Sequence, residues 1–158
     1  MTKDAFGQLY LQLLPGFYRL ALSILHQRED AMDAVQQAIE KAWNASARIR
    51  SGEEKAYITR IVINECRNIQ RHRMRIVPGA EEFTDIPSAA DPPDAALADA
   101  ISGLPEKLRL PLLLRYMEGY SEKEAAEALR ISVPALKSRL FKARSMLKEF
   151  MMEEAEEQ

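Results

Sequence analysis

The stretch Ser121–Leu147, SEKEAAEALRISVPALKSRLFKARSML, decides the fold of this chain. Ser121 with Glu124 three residues on is a capping box, so a helix starts there. Ala125 and Leu129 share a face at i, i+4, and Ala126 is small enough to let a second helix cross closely. Ser132 caps that second helix, and Pro134 falls in its first turn, where a missing N–H costs little. Leu136, Leu140, Ala143 and Leu147 make one apolar stripe along it. Lys137, Ser138, Phe141, Lys142, Ser145 and Lys148 point largely elsewhere. From Ala128 to Lys148, 21 residues pass without one Asp or Glu. A basic, acid-free helix entered from a short turn predicts a helix-turn-helix suited to the DNA major groove, which admits one helix and is lined by phosphates. Taken alone, the same pattern also fits two capped helices with a solvated charged face.

Outward from this stretch, the net charge of −2 averages segments of opposite sign. Residues 1–77 carry 12 Lys/Arg against 8 Asp/Glu, and residues 104–150 carry 10 against 6. Between them residues 78–103 hold 6 acids and no Lys or Arg, and residues 151–158 hold 4 acids. Two basic modules separated by acidic chain point to a polyanion partner. Pro78, Pro87, Pro92 and Pro93 are half of the 8 prolines, and Glu81, Glu82, Asp85, Asp91, Asp94 and Asp99 repel one another. Such a segment buries little and is expected to be a linker. The expectation is therefore an all-α chain of two small helical domains, 1–77 and 100–150, the second with the helix-turn-helix. A flexible acidic linker, 78–99, joins them, and 151–158 is an acidic tail. No apolar run is long enough to span a bilayer and no signal peptide is expected, so membrane insertion is not expected and the protein is read as cytoplasmic. Cys66 is alone and reads as a plain core residue. With only His26 and His72 besides, no metal-ligand cluster has the needed spacing, and no cofactor or metal is expected.

No strand signal and no internal repeat stand out anywhere in the sequence, and its periodicity is helical nearly throughout. Leu13, Leu14, Phe17, Leu20, Ala21 and Leu25 form a stripe, with Pro15 and Gly16 predicting a break or kink. Glu29, Asp30 and Asp33 favour a helix N-terminus, and Met32, Val35, Ile39 and Trp43 form the predicted apolar seam of Glu29–Asn44. The helix around Ala56–Arg71 splits into two faces. Ile58, Ile61, Val62, Cys66 and Ile69 recur at helical spacing and are expected in the core. Arg60, Asn64, Arg67, Asn68 and Arg71 recur on the opposite face with Tyr57 beside them. Arg73 and Arg75 are expected to extend the charge past the helix end. Cations, amides and an aromatic on one surface can hold a phosphate backbone, hydrogen-bond base edges and stack an unpaired base. Glu65 falls toward the apolar side, where nothing in the sequence accounts for it.

Three blocks in series then resemble the extracytoplasmic-function (ECF) group of bacterial RNA polymerase sigma factors. The first is Glu29-Asp30, then Asp33-Ala34-Val35-Gln36-Gln37, ending in Ala42-Trp43. The second is Tyr57-Ile58-Thr59-Arg60-Ile61-Val62-Ile63-Asn64 with Arg71-His72-Arg73. The third runs from Leu104-Pro105-Glu106-Lys107-Leu108-Arg109 through Leu114-Arg115 and Gly119-Tyr120-Ser121 to Ile131-Ser132-Val133-Pro134 and Ala143-Arg144. Departures are Gln37 for an acid, Tyr57 for a Trp, Asn68 for an Asp, Arg130 for a glycine in the turn, and Ala135 for a Thr. Arg130 is costly if the turn needs a left-handed residue.

The resemblance implies a protein with no reaction of its own that binds core RNA polymerase and directs it to promoter DNA. It assigns core binding to Asp33, Gln36, Gln37 and Glu40, docked on the clamp helices of the largest polymerase subunit. It assigns capture of the −10 element as single strand to the loop Ala47–Glu54 with Tyr57, Arg60, Asn64, Arg67, Asn68 and Arg71. It assigns reading of the −35 element as duplex to Ser132, Ala135, Lys137, Ser138, Phe141 and Lys142. The linker would thread toward the polymerase active-site channel. An anti-sigma factor is an expected partner, a small-molecule substrate is not, and the free protein is expected to be a monomer. The rival reading is a stand-alone helix-turn-helix regulator. It explains the second domain but leaves the Gln36 helix and the basic stripe without a role. A small nucleic-acid enzyme fails for want of a carboxylate cluster, a His pair or a metal site in the basic regions.

Overall fold

In the computed structural model the described residues are 1–76 and 95–157, and they form two compact units. All regular structure in them is helical. Among the described residues no helix is long and apolar enough to cross a membrane.

Unit 1 is a bundle of three mutually packed helices, α1 (Lys3–Leu25), α2 (Arg28–Ala45) and α3 (Glu54–Ile76). A short 3₁₀ turn, Ser46–Arg48, follows α2. Thr2 caps α1 by accepting the Ala5 N–H, and His26 ends it in a left-handed conformation at φ 60°. The break predicted at Pro15–Gly16 does not occur: α1 runs through Pro15. Pro15 is exposed, while Phe6, Tyr10, Phe17, Leu20, Ala21 and Ile24 are buried on both sides of it. Burial of that face on both sides of Pro15 holds the two halves in one helix. Tyr10 donates its hydroxyl to the Val35 carbonyl at 3.2 Å, and burial pushes its pKa up to about 12.

The seam of α2 differs from the predicted one. Ala31, Ala34, Val35, Ala38, Ala42 and Ala45 are buried, whereas Met32 is exposed, Ile39 half-buried and Trp43 39% exposed. The helix packs on both α1 and α3, and alanines let the backbones approach where larger side chains would not fit. Trp43 instead is part-exposed, in a T-shaped contact with Phe6 at 5.5 Å between ring centres and with the Lys3 ammonium 4.9 Å from its ring centre. In α3 the predicted core residues Ile58, Val62 and Cys66 are buried and Ile61 and Ile69 half-buried.

Unit 2 contains α4 (Ala95–Ser102), α5 (Glu106–Leu112), α6 (Glu122–Leu129) and α7 (Val133–Glu157), with α4, α5 and α6 all packed on α7. The helix α4 starts inside the segment 78–99 that the sequence suggests as linker, and residues 78–94 of that segment lie outside the described residues. A wide π-type turn, Leu113–Met117, follows α5, with the Glu118 N–H donating to the Leu113 carbonyl at 3.0 Å. The capping box at Ser121 is complete: the Glu124 N–H donates to the Ser121 hydroxyl at 3.1 Å, and the Ser121 N–H to Glu124 at 2.9 Å. Arg130 ends α6 at φ 58°, ψ 44°, so the turn does need a left-handed residue and a non-glycine supplies it. The Ile131 N–H reaches back to the Ala126 carbonyl at 3.0 Å, closing the helix end. Leu136, Leu140 and Ala143 of α7 are buried, as are Ala125, Ala126 and Ala128 of α6, and the two helices pack on each other, as a helix-turn-helix requires. The predicted acidic tail is not a separate element: α7 continues as one helix to Glu157.

Candidate nucleic-acid interface

The polar face of α3 is set by its period. Asn64, Arg67, Asn68 and Arg71 are exposed, and Tyr57 and Arg60 are half-buried at the N-terminal end of the same stripe. Four of these six residues meet around one open depression of about 460 Å³, lined by Lys41, Ile61, Asn64, Glu65, Arg67, Asn68 and Arg71. Tyr57 and Arg60 do not line it. Three cations and two amides thus surround a concave surface with an apolar wall at Ile61. Arg71 donates through Nη2 to the Asn68 side-chain oxygen, which leaves the Asn68 amide nitrogen to donate outward.

Two lining residues escaped the reading of the sequence. Glu65 is 3% exposed, and its Oε1 accepts an ion pair from Lys41 of α2, whose side chain is largely in water. The signal for Glu65 was its position on the apolar side of α3. Its partner lies 24 residues away, beyond the reach of any local pattern.

The structure also corrects Arg73. It sits within α3, not past its end, and turns inward. Its guanidinium pairs with Asp30 and donates to the Leu25 carbonyl and the Gln27 side chain, each at 3.3 Å. Gln70 adds a bond to the Ile24 carbonyl at 3.1 Å. These contacts tie α3 to the corner between α1 and α2, so the Arg73 charge is spent on the fold. Arg75 remains exposed and is likewise inside the helix.

On α2 the residues that the resemblance singles out, Asp33, Gln36, Gln37 and Glu40, are all exposed. Met32, 60% exposed, adds an apolar residue one turn before Gln36.

On unit 2 the candidate residues lie on α7 and its cap. Ser132 holds the N-terminus of α7 by accepting the Ala135 N–H at 3.2 Å, and Ala135 is half-buried. Ser138, Phe141 and Lys142 are exposed, Phe141 at 72%. Lys137 is exposed and lies 3.5 Å from Glu122 of α6, a solvent-screened pair that costs little to break. Beside this face Tyr116 accepts a hydrogen bond from Arg144, and the guanidinium carbons of Arg144 and Arg115 lie 5.6 and 5.8 Å from its ring centre. That cationic cluster is a further surface feature that the linear pattern did not single out. On α5, Arg109 is 7% exposed and donates to the Leu104 carbonyl at 2.8 Å. Burial lowers its pKa and the nearby Glu106 charge opposes that shift.

Comparison with known proteins finds one family match in each unit. Residues 9–76 match sigma-70 region 2, and residues 94–147 match sigma-70 region 4. The RNA polymerase sigma-H factor of Pseudomonas aeruginosa is 30% identical over 165 residues, covering 92% of this chain and 85% of that protein. The ECF RNA polymerase sigma-E factor of Haemophilus influenzae is 30% identical over 140 residues, covering 76% and 74%. Among solved structures, the sigma factor RpoE of Bartonella quintana, crystallised with the anti-sigma factor NepR, superposes with a TM-score of 0.75. It is 28% identical, and the match covers 96% of this chain and 98% of that one.

Proposed function

The chain belongs to the ECF group of RNA polymerase sigma factors, and from that premise we propose how its surfaces divide the work of transcription initiation. Unit 1 and unit 2 act as the two promoter-reading modules, with domain limits near 1–77 and 100–150. The exposed Asp33, Gln36, Gln37 and Glu40 of α2 dock on the clamp helices of core polymerase, and Met32 gives that contact an apolar centre. The loop 47–54 and the α3 stripe from Tyr57 to Arg71 hold the −10 element as melted strand. Ser138, Phe141 and Lys142, with Lys137 and the Ser132–Ala135 cap, read the −35 element as duplex in the major groove. An anti-sigma factor is the expected inhibitor, in keeping with the complex formed by the Bartonella relative. The rival of a stand-alone helix-turn-helix regulator leaves the whole of unit 1 without a task.

One observation carries the single-strand reading: Asn64, Arg67, Asn68 and Arg71 surround an open depression instead of lying along a flat face. A duplex backbone can be held by cations alone. A recess with amides and an apolar wall fits a base taken out of the stack, whose unpairing costs a few kcal/mol that contacts must offset. The test is the double substitution Asn64→Ala with Asn68→Ala. Polymerase carrying it is expected to bind promoter duplex but to open it poorly, seen as lost permanganate reactivity of thymines near −10. A pre-melted template restores only part of transcription, because the base contacts are still missing. Promoter opening equal to wild type would make the stripe an ordinary solvated face.

A further inference from the structure

The most unusual group in the depression is not a cation or an amide but a buried carboxylate. A wall meant only for phosphates has no use for an anion, which repels them. Glu65 is nevertheless 3% exposed and lines the recess beside Asn64 and Asn68. Its Oε1 is taken by Lys41. Among the described residues no hydrogen bond to its Oε2 is found, and Oε2 is not sealed from solvent. The ion pair therefore holds the carboxylate in one orientation. Lys41, Arg67 and Arg71 around it leave the recess cationic despite the carboxylate, so a strand can still approach.

An acceptor fixed at the wall of an open recess that takes a base selects for a donor on the base. We propose that Glu65 is a specificity-determining residue: its free carboxylate oxygen accepts a hydrogen bond from the exocyclic amino group of one extruded base of the melted strand. The Asn64 and Asn68 amides flank that contact, Ile61 lies against the base face, and the arginines hold the flanking phosphates. A base that lacks an exocyclic amine turns a carbonyl lone pair or a C–H toward the carboxylate and loses that bond. The inference deepens the −10 reading above and rests on it.

The experiment uses holoenzyme assembled with core polymerase and single-stranded −10 oligonucleotides selected from a randomised pool. Each amine in the selected strand is then removed one at a time, with purine for adenine, 4-deaminated pyrimidinone for cytosine and inosine for guanine. With the wild-type chain, one position is expected to lose about tenfold in affinity on removal of its amine, within the range of a base-edge contact. Glu65→Met keeps the side-chain length and removes the acceptor, and there the same deletion should change affinity by less than about twofold. Lys41→Met keeps the carboxylate but removes the ion pair that orients it, so amine dependence is expected to fall between wild type and Glu65→Met. The wild-type arm needs no variant to fold, and thermal unfolding reports whether the substituted chains do. If no position shows amine dependence in the wild type, or if Glu65→Met retains it, the Glu65 inference is overturned while −10 binding stands. If the holoenzyme shows no preference for the melted strand at all, the −10 reading itself fails.

Discussion

Single residues in this protein are constrained most where burial meets polarity. Tyr10 is 5% exposed and donates to the Val35 carbonyl, bridging α1 and α2. Its pKa is pushed up to about 12 by burial, against 10.0 for a free side chain. The folded state therefore holds the phenol proton more tightly than the unfolded chain. The stability this contributes is complete below pH 10 and is lost as pH rises from 10 through about 12. Tyr10→Phe is expected to cost about 1 kcal/mol at neutral pH, the worth of one hydrogen bond. Its denaturation midpoint should fall less steeply than wild type above pH 10, and parallel alkaline profiles for the two proteins would contradict the assignment. Glu65 and Arg73 make the same point from the charged side. Each sits where helical spacing alone predicts either misfit or free charge, and each is matched by a partner from another helix.

At the level of elements, the helix-turn-helix was legible because its signals are local. Ser121 and Glu124 cap within three residues, and Leu136, Leu140 and Ala143 recur within two turns. The turn carries a measurable strain. Arg130 occupies φ 58°, where a Cβ crowds the following carbonyl. Arg130→Gly removes that clash but makes the unfolded chain freer, so the net gain is expected to be about 0.5–1 kcal/mol by chemical denaturation. Unchanged or lower stability would mean that the Arg130 side chain contributes more than its backbone costs. By contrast, the seam of α2 was not legible from hydropathy. Met32 and Trp43 are the more hydrophobic choices, yet alanines occupy the interior because α2 packs against two helices at once. Which apolar residue is buried then depends on how closely the neighbours come.

For the whole molecule, two units with separate surfaces predict separable effects. Ser138→Ala or Lys142→Ala, on exposed positions of α7, is expected to change which −35 sequences are used, with about 1–3 kcal/mol of discrimination at stake for a base-edge contact. Folding should be nearly intact. Promoter opening at a −10 element already bound should not change, because Asn64 and Asn68 lie in the other unit. Combining either change with Asn64→Ala and Asn68→Ala should give additive losses in free energy of initiation. Wild-type −35 preference in both single variants would remove α7 as the reader.

By itself the sequence determined the helical class, the presence of a helix-turn-helix, the polar faces of α2, α3 and α7, and the clustering of like charge into modules. Each of these is encoded within one or two helical turns, through caps, period and composition, and needs no knowledge of neighbours. Only the tertiary structure decided that α1 passes through Pro15, that alanines line α2, that Arg73 faces inward and that the α3 stripe is recessed around Glu65. Those outcomes join residues 24 to 48 positions apart, as Lys41 with Glu65 and Arg73 with Leu25 show. They follow from the register and spacing at which whole helices pack, which no local window of sequence contains.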